Sequence, residues 1–269
     1  MSAKACVMGF PVAHSLSPKL HGFWLKQYNI SGSYTAIEVK PEQLSAALND
    51  LVTHGFAGCN LTLPLKEHAL DLMDTLDETS LAAGAVNTVV IRDGKKIGFN
   101  SDGFGFLESL KAQSPQWDKS HTVLLGAGGA ARGIAAALKN AGVKKFTFIN
   151  RTPAKAQKII SDLTLPNAEI ATTVPEDATL LINCTNLGMT GQPPLDVDIS
   201  ALPKTAIISD IVYRPLITPL LEEARRRGHA IVEGLPMLLH QGRLGFKEWF
   251  GVDPAVTPEL YKEIAACAK

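Results

Sequence analysis

The stretch from His121 to Thr152 restricts the possible folds more than any other part of the sequence. It opens with an apolar, β-rich run that ends at Gly126, continues with alanines and leucines at helical spacing up to Asn140, and closes with a second strand ending at Asn150. Gly142 is a typical helix terminator. A strand, a glycine turn, a helix and a strand in this order predict a βαβ unit within a parallel sheet.

The glycine turn of this unit fits the dinucleotide pattern G-x-G-x-x-G/A. Its residues are Gly126, Ala127, Gly128, Gly129, Ala130 and Ala131. Glycines there let the backbone turn tightly and approach a pyrophosphate at the N-terminus of the next helix. Such a turn can also be purely structural, but its place between a strand and a helix favours a dinucleotide site.

The end of the second strand indicates which dinucleotide binds. NAD-binding units usually have an Asp or Glu there, which hydrogen-bonds the adenosine ribose. This chain has Asn150, Arg151 and Thr152 instead, with Lys155 nearby, and these residues favour the 2′-phosphate of NADP. Thr152 and Pro153 also suit the N-cap and first position of a helix, a role that leaves Arg151 available.

Composition limits the remaining possibilities. The 269 residues, 46% of them hydrophobic, suffice for one large or two modest α/β domains. The 26 basic and 26 acidic residues leave no net field for nucleic acid or anionic lipid, so we expect a small-molecule partner and either a monomer or a homodimer. No apolar run reaches the roughly 18 residues of a membrane-spanning helix, and the first residues lack a secretory signal, so we expect a cytoplasmic protein.

The cysteines and histidines show no spacing typical of metal ligands. Cys6, Cys59, Cys184 and Cys267 contain no CxxC pair and lie mostly in apolar, strand-like segments, so we interpret them as reduced core thiols. The seven histidines show no HExxH-like pattern, and we predict no metal site.

Two hydroxyls precede the first predicted helix. A short strand over residues 5–9 is followed by Ser15, Ser17 and Pro18, from which an amphipathic helix is predicted up to Tyr28. Ser17 and Pro18 suit the N-cap and first helical positions, which explains Ser17 without a ligand. Capping leaves Ser15 unexplained, and two hydroxyls beside a helix N-terminus can bind a carboxylate.

Strands and helices alternate in the rest of the N-terminal part. A strand over 33–39, a helix over 41–53 and a strand over 57–61 give a β-α-β-α-β order and a mostly parallel sheet, with ligands at the carboxyl ends of its strands. At that end, Asn60 and Thr62 share one face, and Lys66 follows in the same loop. A lysine there can also be only a solvated surface charge.

Another polar cluster follows a predicted hairpin. Asn87 leads into its first strand, and Asp93-Gly94 has the composition of its turn. Asn100, Ser101 and Asp102 lie at the end of the second strand, before a helix predicted over 103–112. Asp102 can be only the N-cap of that helix, but a third polar cluster at a strand end favours a common pocket.

The remaining chain continues the alternating pattern. Strands are predicted over 168–171, 180–184, 206–210 and 229–233, each near a helix. The residues placed to lie against the nicotinamide half of a cofactor are Thr185, Asn186, Gly188 and Met189. The last helix, over 258–266, is expected to pack on the first domain.

These motifs together closely resemble the shikimate dehydrogenase family over essentially the whole chain. The matching motifs are G-x-P-V-x-H-S-x-S-P at 9–18, N-x-T-x-P-x-K at 60–66, G-A-x-N-T at 84–88, GAGG at 126–129, N-R-T at 150–152, D-x-x-Y-x-P from Asp210 and M-L-x-x-Q from Met237. Two α/β domains are implied, a mostly parallel substrate domain of residues 1–102 and 238–269, to which the last helix returns, and a Rossmann-type NADP-binding domain of residues 103–237.

The resemblance implies reversible reduction of 3-dehydroshikimate to shikimate by NADPH, in aromatic amino-acid biosynthesis. Lys66 and Asp102 would be the catalytic pair. Substrate would be bound by Ser15, Ser17, Asn60, Thr62, Asn87, Ser101, Tyr213 and Gln241. NADP would be bound by Gly126, Ala127, Gly128, Gly129, Ala130, Asn150, Arg151, Thr152, Lys155, Thr185, Asn186, Gly188, Met189, Gly234 and Met237.

Two departures from the family pattern leave the preferred substrate open. Ser101 stands where the family usually has Thr, and Pro236 where a smaller residue is common, so quinate or an amino-substituted shikimate are alternatives. An NAD-dependent quinate dehydrogenase is disfavoured by Arg151. A non-catalytic nucleotide-binding regulator is disfavoured by the presence of both Lys66 and Asp102, and a methyltransferase by the absence of an acid at Asn150.

Overall fold

The computed structural model describes residues 2–268, which form two compact α/β units. Among these residues, the first unit comprises 2–102 and 239–267, and the second comprises 103–238 and Ala268. The chain therefore leaves the first unit once, forms the second, and then comes back to the first.

Strands and helices alternate over much of residues 2–268. The elements before the second unit are β1 (Ala3–Gly9), α1 (Ser17–Gln27), β2 (Gly32–Glu38), α2 (Leu44–Thr53), β3 (Gly58–Leu61), α3 (Leu65–His68), β4 (Thr75–Leu76), α4 (Glu78–Ala83), β5 (Thr88–Arg92) and β6 (Lys95–Phe99). Short 3-10 turns cover Pro41–Gln43 and Leu70–Leu72.

The later elements alternate in the same way except for three consecutive strands and the two final helices. They are α5 (Asp102–Gln113), β7 (His121–Leu125), α6 (Gly129–Asn140), β8 (Lys145–Ile149), α7 (Pro153–Leu163), β9 (Ala168–Ile170), β10 (Leu180–Asn183), β11 (Ile207–Asp210), α8 (Pro219–Arg226), β12 (Ala230–Val232), α9 (Gly234–Phe250) and α10 (Pro258–Ala265). Among the described residues, no helix has both the length and the apolar character that crossing a membrane requires.

The sheet of the first unit has the strand order β2-β1-β3-β5-β6-β4. β1 pairs in parallel with β2 and β3, and β4 with β6, whereas β5 is antiparallel to both of its neighbours. The sheet is thus mostly parallel, as predicted. The β5–β6 hairpin turns at Asp93-Gly94, where φ angles of 51° and 75° match the predicted two-residue turn.

The core of the first unit lies on both faces of this sheet. On one face, three leucines of α2 pack against β1 and β3. On the other face, His21 and Trp24 of α1 contact Phe246 of α9, and His21 stacks on Tyr34 of β2 with ring centroids 3.9 Å apart. Helix α10 packs against α1, so the last helix belongs to this unit, as predicted.

Gly58 is the point at which α9 meets the sheet most closely. Trp249 of α9 donates from its indole Nε1 to the Val89 carbonyl oxygen at 3.0 Å. A Cβ on Gly58 would lie 2.0 Å from that oxygen and 2.3 Å from the indole nitrogen, and its φ of 152° also favours glycine. Only glycine fits there, and the contact fixes α9, which carries Gln241, against β5.

The sheet of the second unit has the strand order β12-β11-β10-β7-β8-β9, and all of its pairs are parallel. If β7 is numbered as strand 1 and the sheet is followed from the β9 edge, the strand order is 3-2-1-4-5-6, which is that of the Rossmann fold. β7 and β10 are buried along their whole length, which explains the apolar runs 123–125 and 180–182 within them. The strand order reverses between β7 and β10, and such sheets bind ligands at the carboxyl ends of these strands.

The cysteines match the prediction with one exception. None of the four, all within residues 2–268, forms a disulfide, and Cys6, Cys59 and Cys184 are buried. Cys267 follows α10, is only half-buried, and has the Lys19 Nζ 3.0 Å from its Sγ. The prediction of a core thiol is wrong for Cys267, because the last helix presents this position toward the surface of α1.

Candidate active site

The first unit brings Lys66 and Asp102 into direct contact. Lys66 lies in α3, just after β3, and Asp102 begins α5, just after β6. The Lys66 Nζ is 2.7 Å from the Asp102 Oδ2. The carboxylate side chain is 6% exposed, whereas 24% of the lysine side chain is exposed. Lys66 is therefore half of a partly buried ion pair and not a solvated surface charge.

The carboxylate of Asp102 accepts hydrogen bonds from both Lys66 and the side-chain amide of Asn87. Asp102 Oδ1 accepts from Asn87 Nδ2 at 2.8 Å, and Gln241 Oε1 accepts from the same nitrogen at 3.2 Å. The first N–H of α5 is instead bound by the Asn100 side-chain oxygen at 3.0 Å. The alternative that Asp102 acts only as an N-cap is therefore wrong. Predicted site residues from β3–α3, β5, α5 and α9 converge at this point.

Asn60 is held in place at both ends of its side chain. Tyr34 donates to Asn60 Oδ1 at 2.6 Å, and Asn60 Nδ2 lies 3.1 Å from the Asn87 carbonyl oxygen and 3.2 Å from Thr88 Oγ1. Burial lowers the pKa of His21 to about 3, while its hydrogen bond to Asn60 acts in the opposite direction. Neutral His21, Tyr34 and Thr88 are site residues that the sequence analysis missed.

Ser15 and Ser17 lie at the N-terminus of α1, but their capping roles differ from the prediction. Ser15 Oγ accepts from the Ser17 N–H at 3.3 Å, and Ser17 is already the first helical residue. The prediction that Ser17 caps the helix is wrong, because the turn closed by the Ser15 N–H on the Val12 carbonyl brings the Ser15 oxygen to the helix start. The Ser17 side chain hydrogen-bonds Tyr34. Ser15 keeps its hydroxyl hydrogen for a ligand.

Thr62 lies where the loops after β1 and β3 meet. The Thr62 N–H donates to the Met8 carbonyl at 2.9 Å, and a Cβ on Gly9 would lie 2.4 Å from the Thr62 methyl carbon. Glycine at position 9 thus permits the close approach. The half-buried Thr62 hydroxyl is placed at the carboxyl end of the sheet, as the sequence predicts.

Ser101 does not occupy the position expected of a substrate ligand. Its side chain is fully buried, at 0% exposure, and its hydroxyl is 3.1 Å from Asn87 Oδ1. Its backbone N–H donates to the same oxygen at 2.8 Å. The structure therefore corrects the predicted direct contact: Ser101 orients Asn87. The sequence could not show this, because Asn87 precedes β5 and Ser101 follows β6, and only the pairing of these strands brings the two residues together.

The glycine loop of the second unit lies at the reversal of the strand order. Gly126 has a φ of 102°, and a Cβ there would lie 2.9 Å from the Thr185 methyl carbon, so the loops after β7 and β10 touch. Gly128 is the N-cap of α6, and a Cβ on it would have no atom within 4 Å. This open space next to a helix N-terminus fits a pyrophosphate, and Gly129 and Ala130 form the first turn of that helix.

The residues predicted to recognise the 2′-phosphate lie together before and within α7. Asn150 Nδ2 donates to the Thr152 carbonyl at 2.7 Å and so closes the turn. Thr152 is at the N-cap position, as predicted, but its side chain makes no capping hydrogen bond. Arg151, Thr152 and Lys155 are exposed. One hydroxyl and two cationic side chains are thus available to an anion.

The loop after β10 is held by a buried polar network. Asn183 Oδ1 accepts from the Thr185 N–H at 3.0 Å and from its hydroxyl at 2.7 Å, while Asn183 Nδ2 donates to Asp210 Oδ1 at 3.0 Å. Burial raises the pKa of Asp210 to about 6, against three hydrogen bonds that lower it. Asn183 and Asp210 thus fix the loop that carries Thr185, Asn186, Gly188 and Met189. Asn186 also donates to Gln192 at 3.1 Å.

Three further predicted residues of the second unit have different surroundings. Tyr213 follows β11 and is half-buried, and burial raises its pKa. Met237 is buried in α9, at 9% exposure. Gly234 packs on the backbone, since a Cβ would lie 2.5 Å from the Val212 carbonyl oxygen. Packing alone therefore explains glycine at 234, whether or not a cofactor touches it.

No group of three metal-ligating side chains is brought together within residues 2–268. The fold and the site instead define a class of protein. A Rossmann sheet with an open glycine loop can hold a dinucleotide, and a separate α/β unit with an ammonium–carboxylate pair among amides can hold a polar substrate and move a proton. These are the parts of a dinucleotide-dependent dehydrogenase.

Comparison with protein families gives the particular family. The model of the shikimate dehydrogenase substrate binding domain matches residues 7–89, and the model named shikimate / quinate 5-dehydrogenase matches residues 108–186. The chain belongs to the shikimate dehydrogenase family. The resemblance found in its motifs is thereby confirmed, as is the predicted α/β fold.

Individual relatives agree with this assignment. The chain is 49% identical to the shikimate dehydrogenase (NADP(+)) of Rhodospirillum rubrum over 95% of its length and 94% of the relative's. The crystal structure of shikimate 5-dehydrogenase from Thermus thermophilus in complex with NADP(H) and shikimate is 39% identical, with a TM-score of 0.88 over 99% of this chain and 100% of that one. The quinate dehydrogenase of Corynebacterium glutamicum in complex with NAD is 27% identical, with a TM-score of 0.89 over 99% of this chain and 98% of that one.

Proposed function

We propose that the protein catalyses the reversible NADPH-dependent reduction of 3-dehydroshikimate to shikimate, a step of aromatic amino-acid biosynthesis. The observation that carries the proposal is the Lys66–Asp102 pair, with Nζ and Oδ2 2.7 Å apart, beside the amides of Asn87 and Gln241. The names of the relatives support the same reaction, because the R. rubrum relative is 49% identical over nearly its whole length.

Lys66 is the proton donor in this proposal. NADPH, when bound, supplies the hydride that reaches the carbonyl carbon. Negative charge then grows on the carbonyl oxygen, and the Lys66 ammonium stabilises it and donates a proton. Asp102 accepts a hydrogen bond from the ammonium and orients it. In the oxidation of shikimate, Lys66 takes the hydroxyl proton instead.

The first unit supplies the groups for the rest of the substrate. The hydroxyls of Ser15 and Ser17, beside the N-terminus of α1, bind the carboxylate. Asn60, Thr62, Asn87, Asp102 and Gln241 bind the ring hydroxyls. Tyr213 is a further proposed substrate residue, on the resemblance to the family alone. Ser101 acts through Asn87, in keeping with its burial.

The second unit binds NADP. The pyrophosphate is bound by the glycine loop, Gly126, Ala127, Gly128, Gly129 and Ala130. The adenosine 2′-phosphate is bound by Asn150, Arg151, Thr152 and Lys155. The nicotinamide half is bound by Thr185, Asn186, Gly188, Met189, Gly234 and Met237. The exposure of Arg151 and Lys155 supports a preference for NADP over NAD, since each leaves its positive charge available to the phosphate.

We assign the substrate domain to residues 1–102 and 238–269 and the NADP domain to residues 103–237. Within the described residues, the compact units have nearly the same limits, which supports this division. We also propose that the protein acts in the cytoplasm, as a monomer or homodimer, on small molecules only. Its balanced charge of 26 basic and 26 acidic residues supports the absence of a nucleic-acid partner.

The test is an absorbance assay at the NADPH band, with shikimate and quinate offered in turn with NADP+ and NAD+. Rapid oxidation of shikimate with NADP+ is expected. A quinate or amino-shikimate dehydrogenase is the second candidate, because the family model that matches residues 108–186 is named for shikimate and quinate alike and the fold also matches a quinate dehydrogenase. Faster turnover of quinate, or a strong preference for NAD+, would replace the proposal by that candidate. No turnover of any pair would favour a nucleotide-binding regulator.

A further inference from the structure

We propose that Thr88 is a positioning residue of this reaction, whose hydroxyl sets the orientation of the Asn87 amide and thereby of the Asp102 carboxylate facing Lys66. The inference rests on the proposed function. Thr88 itself is fully buried, at 0% exposure, so it acts through its neighbours and not on the substrate.

Sheet register places Thr88 at the centre of the polar groups. β3 and β5 are antiparallel, with Asn60 directly opposite Thr88. β5 and β6 are also antiparallel, with Phe99 opposite Thr88, so Ser101 follows two residues beyond that partner. Thr88 therefore has a site residue on each side and Asn87 directly before it in the chain.

The oxygen of the Asn87 amide is surrounded by donors. Asn87 Oδ1 lies 2.8 Å from the Ser101 N–H nitrogen, 3.1 Å from the Ser101 hydroxyl and 3.0 Å from the Thr88 hydroxyl. A flipped amide would turn its NH₂ group toward these donors, and a backbone N–H cannot accept a hydrogen bond. The oxygen is therefore fixed on this side, and Nδ2 is fixed toward Asp102 Oδ1, 2.8 Å away.

The Thr88 hydroxyl also couples Asn87 to Asn60. Because an amide oxygen only accepts, Thr88 donates its one hydrogen to Asn87 Oδ1. Its lone pairs then accept from Asn60 Nδ2, 3.2 Å away. One hydroxyl thus holds two amides that the proposed function assigns to the substrate, and the chain Thr88–Asn87–Asp102–Lys66 is continuous in hydrogen bonds.

Thr88→Val tests this role, because valine keeps the branched shape and β propensity and removes only the hydroxyl. Thr88→Ser is the rescue variant, since it keeps the hydroxyl and removes the methyl group. The matched control is Thr122→Val: Thr122 is also a fully buried strand residue, and within residues 2–268 its hydroxyl has no hydrogen-bond partner.

The assay is the steady-state oxidation of shikimate by NADP+, with and without deuterium at the carbon that gives up the hydride. For Thr88→Val we expect kcat/KM for shikimate to fall about tenfold or more, the factor for one lost buried hydrogen bond, with the KM for NADP+ unchanged. The isotope effect on kcat rises, because misplaced proton transfer slows the chemical step. Thr88→Ser and Thr122→Val stay within about twofold of the wild type.

Several results would overturn the proposal. Thr88→Val with wild-type kcat/KM shows that the hydroxyl positions nothing. A fall with an unchanged isotope effect, matched by a smaller folded fraction in circular dichroism, assigns Thr88 to stability alone. If kcat/KM falls as far in Thr88→Ser as in Thr88→Val, the hydroxyl is not the group that matters, and Thr88 is again assigned to stability alone. If Thr88→Val does not fold, a large fall in Thr88→Ser is by itself enough to overturn the proposal. Wild-type protein that does not turn over shikimate would overturn the proposed function as well.

Discussion

Replacing Asp102 by Asn measures what the buried carboxylate contributes to the reaction. Asparagine keeps the size of the side chain and can still accept from Asn87 Nδ2 through its oxygen. Its NH₂ group then faces the Lys66 ammonium, so both the charge and the hydrogen bond to Lys66 are lost. At 2.7 Å and an effective dielectric constant of 20, the attraction between two unit charges is about 6 kcal/mol. This is an upper limit, because 24% of the lysine side chain is in contact with water.

The Lys66–Asp102 pair is intermediate between exposed and buried ion pairs. We therefore expect its removal to cost about 2–4 kcal/mol of transition-state stabilisation. The corresponding fall in kcat/KM for shikimate is about 30- to 1000-fold. The assay is the initial rate of NADPH formation under saturating NADP+. Asp74→Asn is the matched control, since Asp74 also pairs with a lysine of the first unit, Lys96 at 3.8 Å, but is 45% exposed. An Asp102→Asn enzyme within threefold of wild type would refute the assigned role.

Three further predictions concern the cofactor and stability. Gly128→Val should weaken NADPH binding at least about tenfold in calorimetry, because the valine side chain would fill the open space proposed for the pyrophosphate. The unfolding midpoint should not change, since the same side chain meets no atom of the fold. Unchanged binding would argue against a pyrophosphate there. Arg151→Ala should raise the KM for NADP+ about 10- to 150-fold and leave that for NAD+ unchanged, whereas Lys158→Ala, in the α7 helix that follows Arg151, should change neither. The pKa of His21 is lowered to about 3 in the fold, from 6.5 in the unfolded chain. The free energy of unfolding is therefore highest above pH 6.5 and decreases as the pH falls toward 3, by about 2 kcal/mol at pH 5. Urea unfolding at pH 7 and 5 should show this loss in the wild type and not in His21→Phe; equal losses would contradict it.

The parts of the fold with local signals were predictable from the sequence. The glycine loop after β7, the helix stop at Gly142 and the Asp93-Gly94 hairpin depend on a few adjacent residues, and all three are observed. The strand order of the second unit is that of the Rossmann-type domain that the resemblance to the family implies. For these features, backbone conformation is decided within one turn or one loop.

The site was predictable in its composition but not in its contacts. Polar residues at strand ends pointed to Lys66 and Asp102, and the structure brings them together. The residue at the N-cap of α1 depends on the turn before the helix: it is Leu16, not the predicted Ser17, and the Ser15 Oγ accepts from the Ser17 N–H. Tyr34 lies 26 residues from Asn60 in the chain, and only the parallel pairing of β1 with β2 and β3 brings them together.

Lys66→Ala gives the most direct test of the proposed proton transfer. The turnover number for shikimate with NADP+ is measured beside the dissociation constant of NADPH from the same preparation. The account predicts a fall in kcat of at least about 100-fold, the range of a lost general acid or base, with NADPH binding unchanged because Lys66 lies in the other unit. Wild-type turnover in this variant would contradict the account.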